Sequence, residues 1–501
     1  MTSVQTPSSQ NALERSSTYT IAEWQRGYES LNQEYSYPIT EVEGEIPAGL
    51  TGTLFRNGPG RLEVNGDRLH HPFDGDGMIS AVSFRDGKAW FRNRYVRTEG
   101  YLAETAAGKI LYRGVFGTQK PGGWLANIFD LKLKNIANTS VLYWGNRLTA
   151  LWEAGLPHEL EPHTLETLGP STLDDILKAQ DAWSAHPRID PGAPDEAPRL
   201  INFSVKSALS TQVVVYELNP QNELLQQKSF TIPGFAFIHD FVITPNYYIF
   251  FQNPVTLNPL PFVLGLRGAG QCLDFRADQP TKVWILPRGE GEVQMLETES
   301  CFVFHHANAY EAGQELVIDS ICYANFPIVD PDTEFREIDF SSLPEGQLWR
   351  FHLDLAAKTV RHDVITTRCC EFPALNPQHS GRPYRFVVLA TAAIASGNAP
   401  LQGLLKLDLQ EQTQSMWSAA PKGFVGEPLF VAKPDAVAED DGWILCPVYD
   451  SAHHRTDIVI LNAQNLEAGP IARLHLQHHI PYGLHGCFVP DLFLAESDDA
   501  A

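Results

Sequence analysis

The sequence lacks the features that direct a chain into or across a membrane. None of its 501 residues belongs to a run of about 18 apolar residues, the length that a spanning helix needs. The N-terminal stretch MTSVQTPSSQNALERSSTYT is polar and has neither the charged start nor the apolar core of a signal peptide. We therefore expect a cytoplasmic protein, which leaves room for peripheral contact with a membrane surface.

Basic residues and paired cysteines are also scarce. The 37 Lys and Arg residues are outnumbered by 60 Asp and Glu residues, and the resulting net charge of −23 would repel the phosphates of a nucleic acid. The seven cysteines are an odd number and include no CxxC pair, so we expect reduced thiols rather than a disulfide framework.

Compact catalytic motifs are missing as well. The sequence contains no HExxH, no GxGxxG, no GxSxG and no GxxxxGK followed by Ser or Thr. A metal site, if there is one, must therefore be assembled from residues that lie far apart in the chain.

What the sequence has in abundance is short alternating or β-branched segments separated by turn residues. Three hairpins are predicted at residues 79–96, 141–152 and 237–251, and similar segments recur as far as residue 462. Only residues 123–135 and 171–182 are candidates for helices.

This many strands predicts an all-β fold of a particular kind. Roughly twenty-five strands are too many for a sandwich or a small barrel, whereas a β-propeller repeats four-stranded blades around an axis. We expect one propeller domain over residues 19–492, a flexible tail over residues 1–18 and an acidic tail over residues 493–501. No repeat of the WD type is present, so the division into blades is an inference.

Four of the 17 histidines stand out by their surroundings. An imidazole in an apolar strand needs a partner for each ring nitrogen, and metal ligation with an acceptor behind the ring provides both. The four are His186 in SAHPRID, His239 in FAFIHDFVI, His305 in CFVFHHANAY and His485 in IPYGLHGCF.

The spacing of these histidines agrees with a propeller. The intervals are 53, 66 and 180 residues, close to one, one and three blades of about 60 residues. With 17 histidines, an approximate periodicity of this kind also arises by chance. His306 follows His305 directly and should point to the opposite face of its strand.

Three acidic residues occur in otherwise uncharged stretches. Glu153 follows ALW, Glu371 follows RCC and Glu427 lies in GFVGEPLF. A buried carboxylate needs hydrogen-bond donors, and a metal-bound imidazole is a strong one. The alternative for each is a structural acid that accepts from backbone N–H groups.

Eight segments follow one another along the chain: FRNGPG (55–60), HPFDGDGMI (71–79), FIHDFVIT (237–244), FVFHHANAYE (302–311), CCEFP (369–373), GEPLFV (426–431), AEDDGW (438–443) and PYGLHG (481–486). Several such segments in the same order are far more specific than any one of them. Together they resemble the signatures of the carotenoid oxygenase family, and the resemblance covers residues 20–490.

The resemblance implies a seven-bladed β-propeller with iron(II) on its axis, under a dome of loops and short helices. It implies that His186, His239, His305 and His485 are the iron ligands. It also implies that Glu153, Glu371 and Glu427 orient His239, His305 and His485 respectively, and that Thr139 of IANT lies near the open side of the metal.

The implied reaction is oxidative cleavage of an apocarotenoid by dioxygen at the 15,15′ double bond, which gives retinal. Cleavage of another polyene bond, cleavage of a stilbene, isomerohydrolase chemistry and a carotenoid-binding propeller without catalysis are the alternatives.

An apolar substrate predicts an apolar route to the metal. Trp152, Phe237, Phe304 and Phe372 adjoin the candidate ligands or glutamates and would line that route, although core packing is an equal possibility for each. The apolar residues in 124–129 and 255–266 are candidates for contact with a membrane surface.

Overall fold

A computed structural model describes residues 19–207, 209–327 and 335–494. Its strands are numbered in chain order. The first eighteen are β1 (Ser36–Ile39), β2 (Val42–Gly44), β3 (Gly52–Arg61), β4 (Glu63–Val64), β5 (Asp67–Arg68), β6 (Asp76–Arg85), β7 (Lys88–Tyr95), β8 (Ser140–Trp144), β9 (Arg147–Leu151), β10 (His158–Leu160), β11 (Thr167–Pro170), β12 (Arg188–Asp190), β13 (Arg199–Ser207), β14 (Ser210–Leu218), β15 (Leu224–Pro233), β16 (Val242–Ile243), β17 (Tyr247–Gln252) and β18 (Val255–Leu257).

The remaining strands begin after a loop that ends near residue 272. They are β19 (Leu273–Phe275), β20 (Thr281–Pro287), β21 (Gln294–Thr298), β22 (Phe302–Ala312), β23 (Glu315–Tyr323), β24 (Gln347–Asp354), β25 (Thr359–Thr366), β26 (Cys370–Ala374), β27 (Phe386–Ala392), β28 (Leu401–Asp408), β29 (Thr413–Ser418), β30 (Gly423–Val425), β31 (Leu429–Ala432), β32 (Gly442–Asp450), β33 (Arg455–Asn462), β34 (Pro470–His475) and β35 (Gly486–Val489).

Helices are short and lie in the connections. The α-helices are α1 (Ile21–Gln25), α2 (Glu99–Ala107), α3 (Trp124–Asn127) and α4 (Leu260–Val263). Single 3₁₀ turns occur at Arg26–Tyr28, Pro72–Asp74, Gly270–Cys272, Phe335–Glu337, Phe340–Ser342, Pro377–His379 and Leu466–Ala468. Within the described ranges, no helix has the length and hydropathy needed to span a bilayer.

The described residues form seven large antiparallel sheets, which are the blades of a propeller. Blades 2 to 6 follow the chain, with the strand sets β8–β11, β12–β15, β16–β17–β20–β21, β22–β25 and β26–β29. Two small ribbons, β4–β5 and β18–β19, lie outside the blades. The predicted seven-bladed all-β propeller is therefore confirmed.

Blades 1 and 7 are each completed by a strand from the opposite end of the chain. In blade 1, C-terminal β35 pairs with β3, so that Thr53 faces Val489 and Arg56 faces Gly486. In blade 7, N-terminal β2 pairs with β34, and Val42 faces Leu474. The ring is thus closed at two places by hydrogen bonds between residues that are more than 400 positions apart.

The interior consists of apolar clusters between neighbouring blades. One cluster joins Leu54 and Phe84 of blade 1 to Ile460 and Leu474 of blade 7, all of which are almost fully buried. Such inter-sheet packing explains why β3 and β6 read as nearly continuous buried segments rather than as a simple in–out alternation.

Several sequence-based expectations about elements were wrong in detail. Of residues 123–135, only Trp124–Asn127 is helical. The segment 171–182 is not helical, because Leu173, Asp174 and Asp175 have positive φ angles. In the hairpin expected at 237–251, the first strand is limited to Val242–Ile243.

The last two described residues pack on the propeller, although we expected them in a tail. Phe493 and Leu494, which we placed in an acidic tail, are buried, and the Phe493 N–H donates to the Thr53 side chain. The predicted tail at residues 1–18 and the end of the chain from residue 495 lie outside the described residues. All seven cysteines are free thiols.

Candidate metal centre

Each of the four candidate histidines lies in or just before a strand at the edge of a sheet, and the four sheets are different. His186 precedes β12, His239 lies shortly before β16, and His485 immediately precedes β35. His305 lies within β22, where the pairing with β23 changes register on both sides of the neighbouring His306. Each of these four strands ends the strand order of its sheet, so that the side chains can meet at the axis of the ring.

One imidazole nitrogen from each of His186, His239, His305 and His485 lies within 4.8 Å of the other three. The Nε2 atoms of His186 and His239 are 2.9 Å apart, and those of His239 and His305 are 3.3 Å apart. Nitrogens bound to one ion at about 2.1 Å and at right angles lie roughly 3 Å apart. The spacing therefore matches that of a shared ion.

Three carboxylates lie behind these rings. The His305 Nδ1 is 2.6 Å from Glu371 Oε2, and the His485 Nδ1 is 2.7 Å from Glu427 Oε1. The His239 Nδ1 forms the same contact with Glu153 Oε1. Because an ionised carboxylate can only accept, each Nδ1 carries the hydrogen, which leaves the lone pair on Nε2.

The donor set fits a metal ion. Neutral imidazoles whose Nε2 lone pairs point at one another repel unless a cation lies between them. Nitrogen ligands of this kind suit iron(II), and they also suit zinc and copper. The arrangement thus predicts a transition metal, and the donors alone do not select among these.

Burial and neighbouring charges shift the pKa values of three of these rings, and not all in the same direction. The pKa of His186 lies well below its ordinary value because of burial and the three neighbouring imidazoles. The pKa of His485 is also lowered by burial, which outweighs the attraction of Glu427. For His305, burial acts downward, but the Glu371 carboxylate raises the net pKa. A bound cation would favour the neutral form of all of these rings.

Two further side chains, which the sequence reasoning missed, support the carboxylates. The Arg56 guanidinium lies 2.5 Å from Glu427 and also donates to the Leu484 carbonyl at 2.8 Å. The Tyr323 hydroxyl donates to Glu371 Oε1 at 2.8 Å. The His485 side of the centre is thus backed by a buried cation, and the His305 side by a neutral phenol.

The reason why Arg56 needs such partners is visible in the structure and not in the sequence. The residue belongs to β3, every residue of which is buried. An arginine in such a strand must meet an acid or several carbonyls. The sequence does not identify the acid, because Glu427 is 371 positions away.

A belt of polar side chains lies directly beside the candidate ligands. Arg188 donates to Asp240 at 2.6 Å and to the His306 carbonyl at 3.0 Å, and Asp240 accepts the His306 N–H at 2.8 Å. These residues follow His186, His239 and His305 by one or two positions. The belt fixes three ligand segments relative to one another.

His306 itself faces away from the centre, as its position in a strand predicts. Its Nδ1 is 2.7 Å from the Ser320 hydroxyl on the neighbouring strand. Burial lowers the pKa of His306 to about 4, so the ring is neutral.

Of the predicted residues around the site, Thr139 and Phe304 contact candidate ligands, Phe237 packs on Phe304, and Trp152 lines a separate cavity with Ile136. The Thr139 carbonyl accepts the His485 N–H at 3.1 Å. The Phe304 ring lies 5.3 Å from His239, and the Phe237 ring lies 6.5 Å from Phe304. Trp152, directly before Glu153, is 8% exposed.

Phe372 lies between the candidate ligands and a cavity. Its ring lies 5.6 Å from both His305 and His485, and its φ of 53° turns the chain sharply after Glu371. The cavity has a volume of about 260 Å³, and its walls include Glu371, Phe372 and Leu484. Its lining is mostly apolar.

Two exposed apolar segments meet at another part of the surface. The Trp124 indole donates to the Leu264 carbonyl at 2.6 Å, and the Phe129 N–H donates to the Val263 carbonyl at 2.8 Å. We call residues 124–131 and 260–266 the apolar surface. Its most exposed large side chains are Leu125 (77%), Phe129 (69%), Leu266 (60%) and Leu260 (59%).

A buried arginine joins the two halves of the apolar surface. Arg113 donates to the carbonyls of Asn127 and Asp130 in one segment and to that of Phe262 in the other. It also donates to the carbonyl of Arg267, the residue that follows the second segment. The two segments therefore present one continuous surface.

Comparisons with known proteins agree with this geometry. A family model described as "Retinal pigment epithelial membrane protein" matches residues 28–490. The apocarotenoid-15,15′-oxygenase of Synechocystis is 53% identical over 486 residues, which cover 96% of this chain and 99% of that protein. Lignostilbene-alpha,beta-dioxygenase isozyme III of Sphingomonas paucimobilis is 30% identical over 467 residues, which cover 89% of this chain and 92% of that protein.

A solved structure gives the same result at the level of the fold. Cobalt-substituted Synechocystis ACO superposes with a TM-score of 0.93 at 53% identity, and the match covers 94% of this chain and 99% of that one.

Proposed function

The chain belongs to the carotenoid oxygenase family and is an enzyme of the carotenoid-cleavage type; we propose that it uses iron(II) and dioxygen to cleave an apocarotenoid at its 15,15′ double bond, which gives retinal. The observation that carries this proposal is the convergence of four imidazoles, with their Nε2 atoms as close as 2.9 Å, in a chain so similar to an apocarotenoid-15,15′-oxygenase.

We propose that His186, His239, His305 and His485 hold the metal, and that Glu153, Glu371 and Glu427 orient the last three. Each carboxylate accepts from an Nδ1–H and so keeps the Nε2 lone pair directed inward. When bound, iron(II) supplies coordination sites and electrons for the reaction of dioxygen beside an organic substrate.

Apolar side chains around the substrate position the polyene. A hydrocarbon chain offers no ligand atom, so shape and apolar contact must place the reacting bond beside the metal. We propose that Phe237, Phe304 and Phe372 provide these walls near the histidines, and that Trp152 contributes from the Glu153 side. Thr139, whose carbonyl binds the His485 N–H, is proposed to narrow the open side of the metal.

Cleavage of a stilbene is the second candidate, because the lignostilbene dioxygenase relative matches nearly the whole chain. A lignostilbene is short and carries phenolic groups, whereas an apocarotenal is long and almost entirely apolar. The two substrates therefore need different walls around similar metal centres.

The test is product identification with the purified wild-type holoenzyme. We expect iron near one equivalent per chain, oxygen uptake with apocarotenals, and release of retinal together with a shorter dialdehyde. The same assay with a stilbene should show little uptake. Cleavage of stilbenes alone, or apocarotenal cleavage without retinal, would refute the proposed bond and substrate.

We further propose that the apolar surface makes peripheral contact with a bilayer, from which an apolar substrate must be collected. The side chains of Leu125 and Leu266 project from two segments that Arg113 holds together. An exposed group of this kind can enter the interface of a bilayer without spanning it.

Replacing two of these side chains should weaken membrane binding. In a Leu125→Ser/Leu266→Ser variant, we expect partitioning onto lipid vesicles to fall by about tenfold per leucine, because each loses the burial of an apolar side chain. Sedimentation with vesicles measures the effect. A Leu168→Ser/Leu209→Ser variant is the matched control, since these leucines are 64% and 99% exposed on blades 2 and 3. Equal binding by both variants would contradict the proposal.

A further inference from the structure

The cavity beside Phe372 has an outer end as well as an inner one. The inner wall contains Glu371 and Phe372, next to the histidines, whereas the outer wall contains Trp24, Phe335 and Phe340. The cavity therefore extends from Glu371 and Phe372, whose side chains contact His305 and His485, to the N-terminal segment of the chain.

Trp24 is the central ring of this outer wall. Its ring centroid lies 5.0 Å from Phe340, 5.2 Å from Tyr28 and 5.7 Å from Phe335. The side chain is only 6% exposed. Close-packed rings of this kind do not yield easily to an added group, because displacing one ring disturbs all of its neighbours.

The segment that carries Trp24 is fastened to blade 7. The Glu23 carboxylate lies 2.5 Å from the Lys422 ammonium, and the Tyr482 N–H donates to the Gly27 carbonyl at 3.0 Å. A Cβ atom at Gly27 would lie 2.2 Å from the Tyr482 ring, so glycine is required for this approach. The His479 Nε2 lies 2.9 Å from the Glu29 carbonyl.

The wall limits how far a rod-shaped substrate can extend beyond the proposed metal. A conjugated polyene cannot fold back on itself, so the part that passes the metal must fit between the metal and the outer wall. The distance to the wall then determines which double bond lies beside the metal.

We propose that Trp24 is a specificity-determining residue that stops the polyene at the outer end of the cavity and so selects the bond that is cleaved. The inference rests on the proposed function, because it assumes a polyene that passes the four histidines. It assigns to a residue of the N-terminal segment a role in substrate selection.

The experiment compares the holoenzymes of wild type, Trp24→Ala and Trp24→Phe on apocarotenals whose chains differ by successive vinylene units. The ratio of kcat/KM for longer over shorter substrates should rise at least about tenfold in Trp24→Ala, as expected when a pocket gains room for extra carbons. Trp24→Phe should show a smaller change in the same direction. Product masses should show cleavage at a bond displaced from that cut by the wild type.

Trp90→Phe is the control, because Trp90 is a similarly buried tryptophan (5% exposed) in β7 and is not part of the cavity wall. It should leave both the length preference and the product unchanged. An unchanged preference in both Trp24 variants, or the same change in Trp90→Phe, would overturn the proposal. If Trp24→Ala does not fold, Trp24→Phe decides the question alone. The wild-type products separately decide the proposed function.

Discussion

Replacing His239 by alanine is expected to remove both the metal and the activity. The Nε2 of His239 lies within 3.3 Å of those of His186 and His305, so its loss opens one side of the proposed coordination sphere. It also leaves the Glu153 carboxylate without the imidazole that it binds. Loss of a carboxylate behind a ligand commonly costs 10- to 100-fold in metal affinity, and loss of a ligand should cost more than about 100-fold.

Metal analysis of the purified variant and oxygen uptake with an apocarotenal measure the two effects. His306→Asn is the matched control, because this neighbouring histidine faces Ser320 rather than the centre and should leave the metal content unchanged. Full iron occupancy and full turnover in His239→Ala would refute the proposed site.

Thr139→Ala is the companion variant within the site. The substitution changes only the side chain, so the backbone hydrogen bond from the His485 N–H to the carbonyl of residue 139 is kept and the metal should remain bound. If the side chain narrows the open side of the metal, the KM for oxygen should change while metal content does not. If the dependence of the reaction rate on oxygen concentration is unchanged, the Thr139 side chain has no role at the open side of the metal.

The second substitution with a large expected effect is Glu427→Gln, because Glu427 forms an ion pair with Arg56. Both side chains are nearly buried, with 13% and 9% of their surface exposed, and they lie 2.5 Å apart. In Glu427→Gln, the Arg56 charge remains buried without its counter-ion. Breaking a buried pair from one side commonly costs about 3–5 kcal/mol in the free energy of unfolding. Metal affinity should also fall 10- to 100-fold because His485 loses its acceptor.

Glu371→Gln provides the comparison for that effect. The Glu371 carboxylate is also held by the neutral Tyr323 hydroxyl and by the Phe372 N–H. The loss of metal affinity should be similar, but the unfolding free energy should fall by only about 1–2 kcal/mol. Denaturant unfolding of the metal-free proteins separates stability from metal binding.

A double variant tests the cause. Arg56→Met combined with Glu427→Gln removes the unpaired charge, so most of the lost stability should return, while metal affinity stays low. A double variant that is no more stable than Glu427→Gln would show that the buried charge is not the reason for the loss.

Local patterns in the sequence predicted the propeller because most strands of each blade pair with their neighbours in the chain. The histidines could be selected because apolar surroundings make an imidazole conspicuous. His239 nevertheless lies outside the strand that we predicted for it, since β16 begins only at Val242. An apolar run indicates burial, and burial alone does not distinguish a strand from an extended segment.

Contacts between distant parts of the chain could not be predicted in the same way. The pairing of β2 with β34 and of β3 with β35 forms only in the complete ring. The short strands β2 and β35 have no distinctive sequence by which this pairing could be predicted. The same holds for Arg56 and Glu427, and for Trp24, whose neighbours Phe335 and Phe340 are more than 300 positions away.

Blade 1 can be completed only when synthesis of the chain is almost finished. His485 is followed at once by β35, so the fourth imidazole and the strand that closes the ring leave the ribosome together. A nascent chain can build blades 2 to 6 in order, but it holds only three of the four imidazoles until synthesis is almost complete. If the four histidines bind the metal as we propose, its acquisition is a late step in maturation, and a chain truncated near residue 480 would lack both the fourth imidazole and the pairing of β3 with β35.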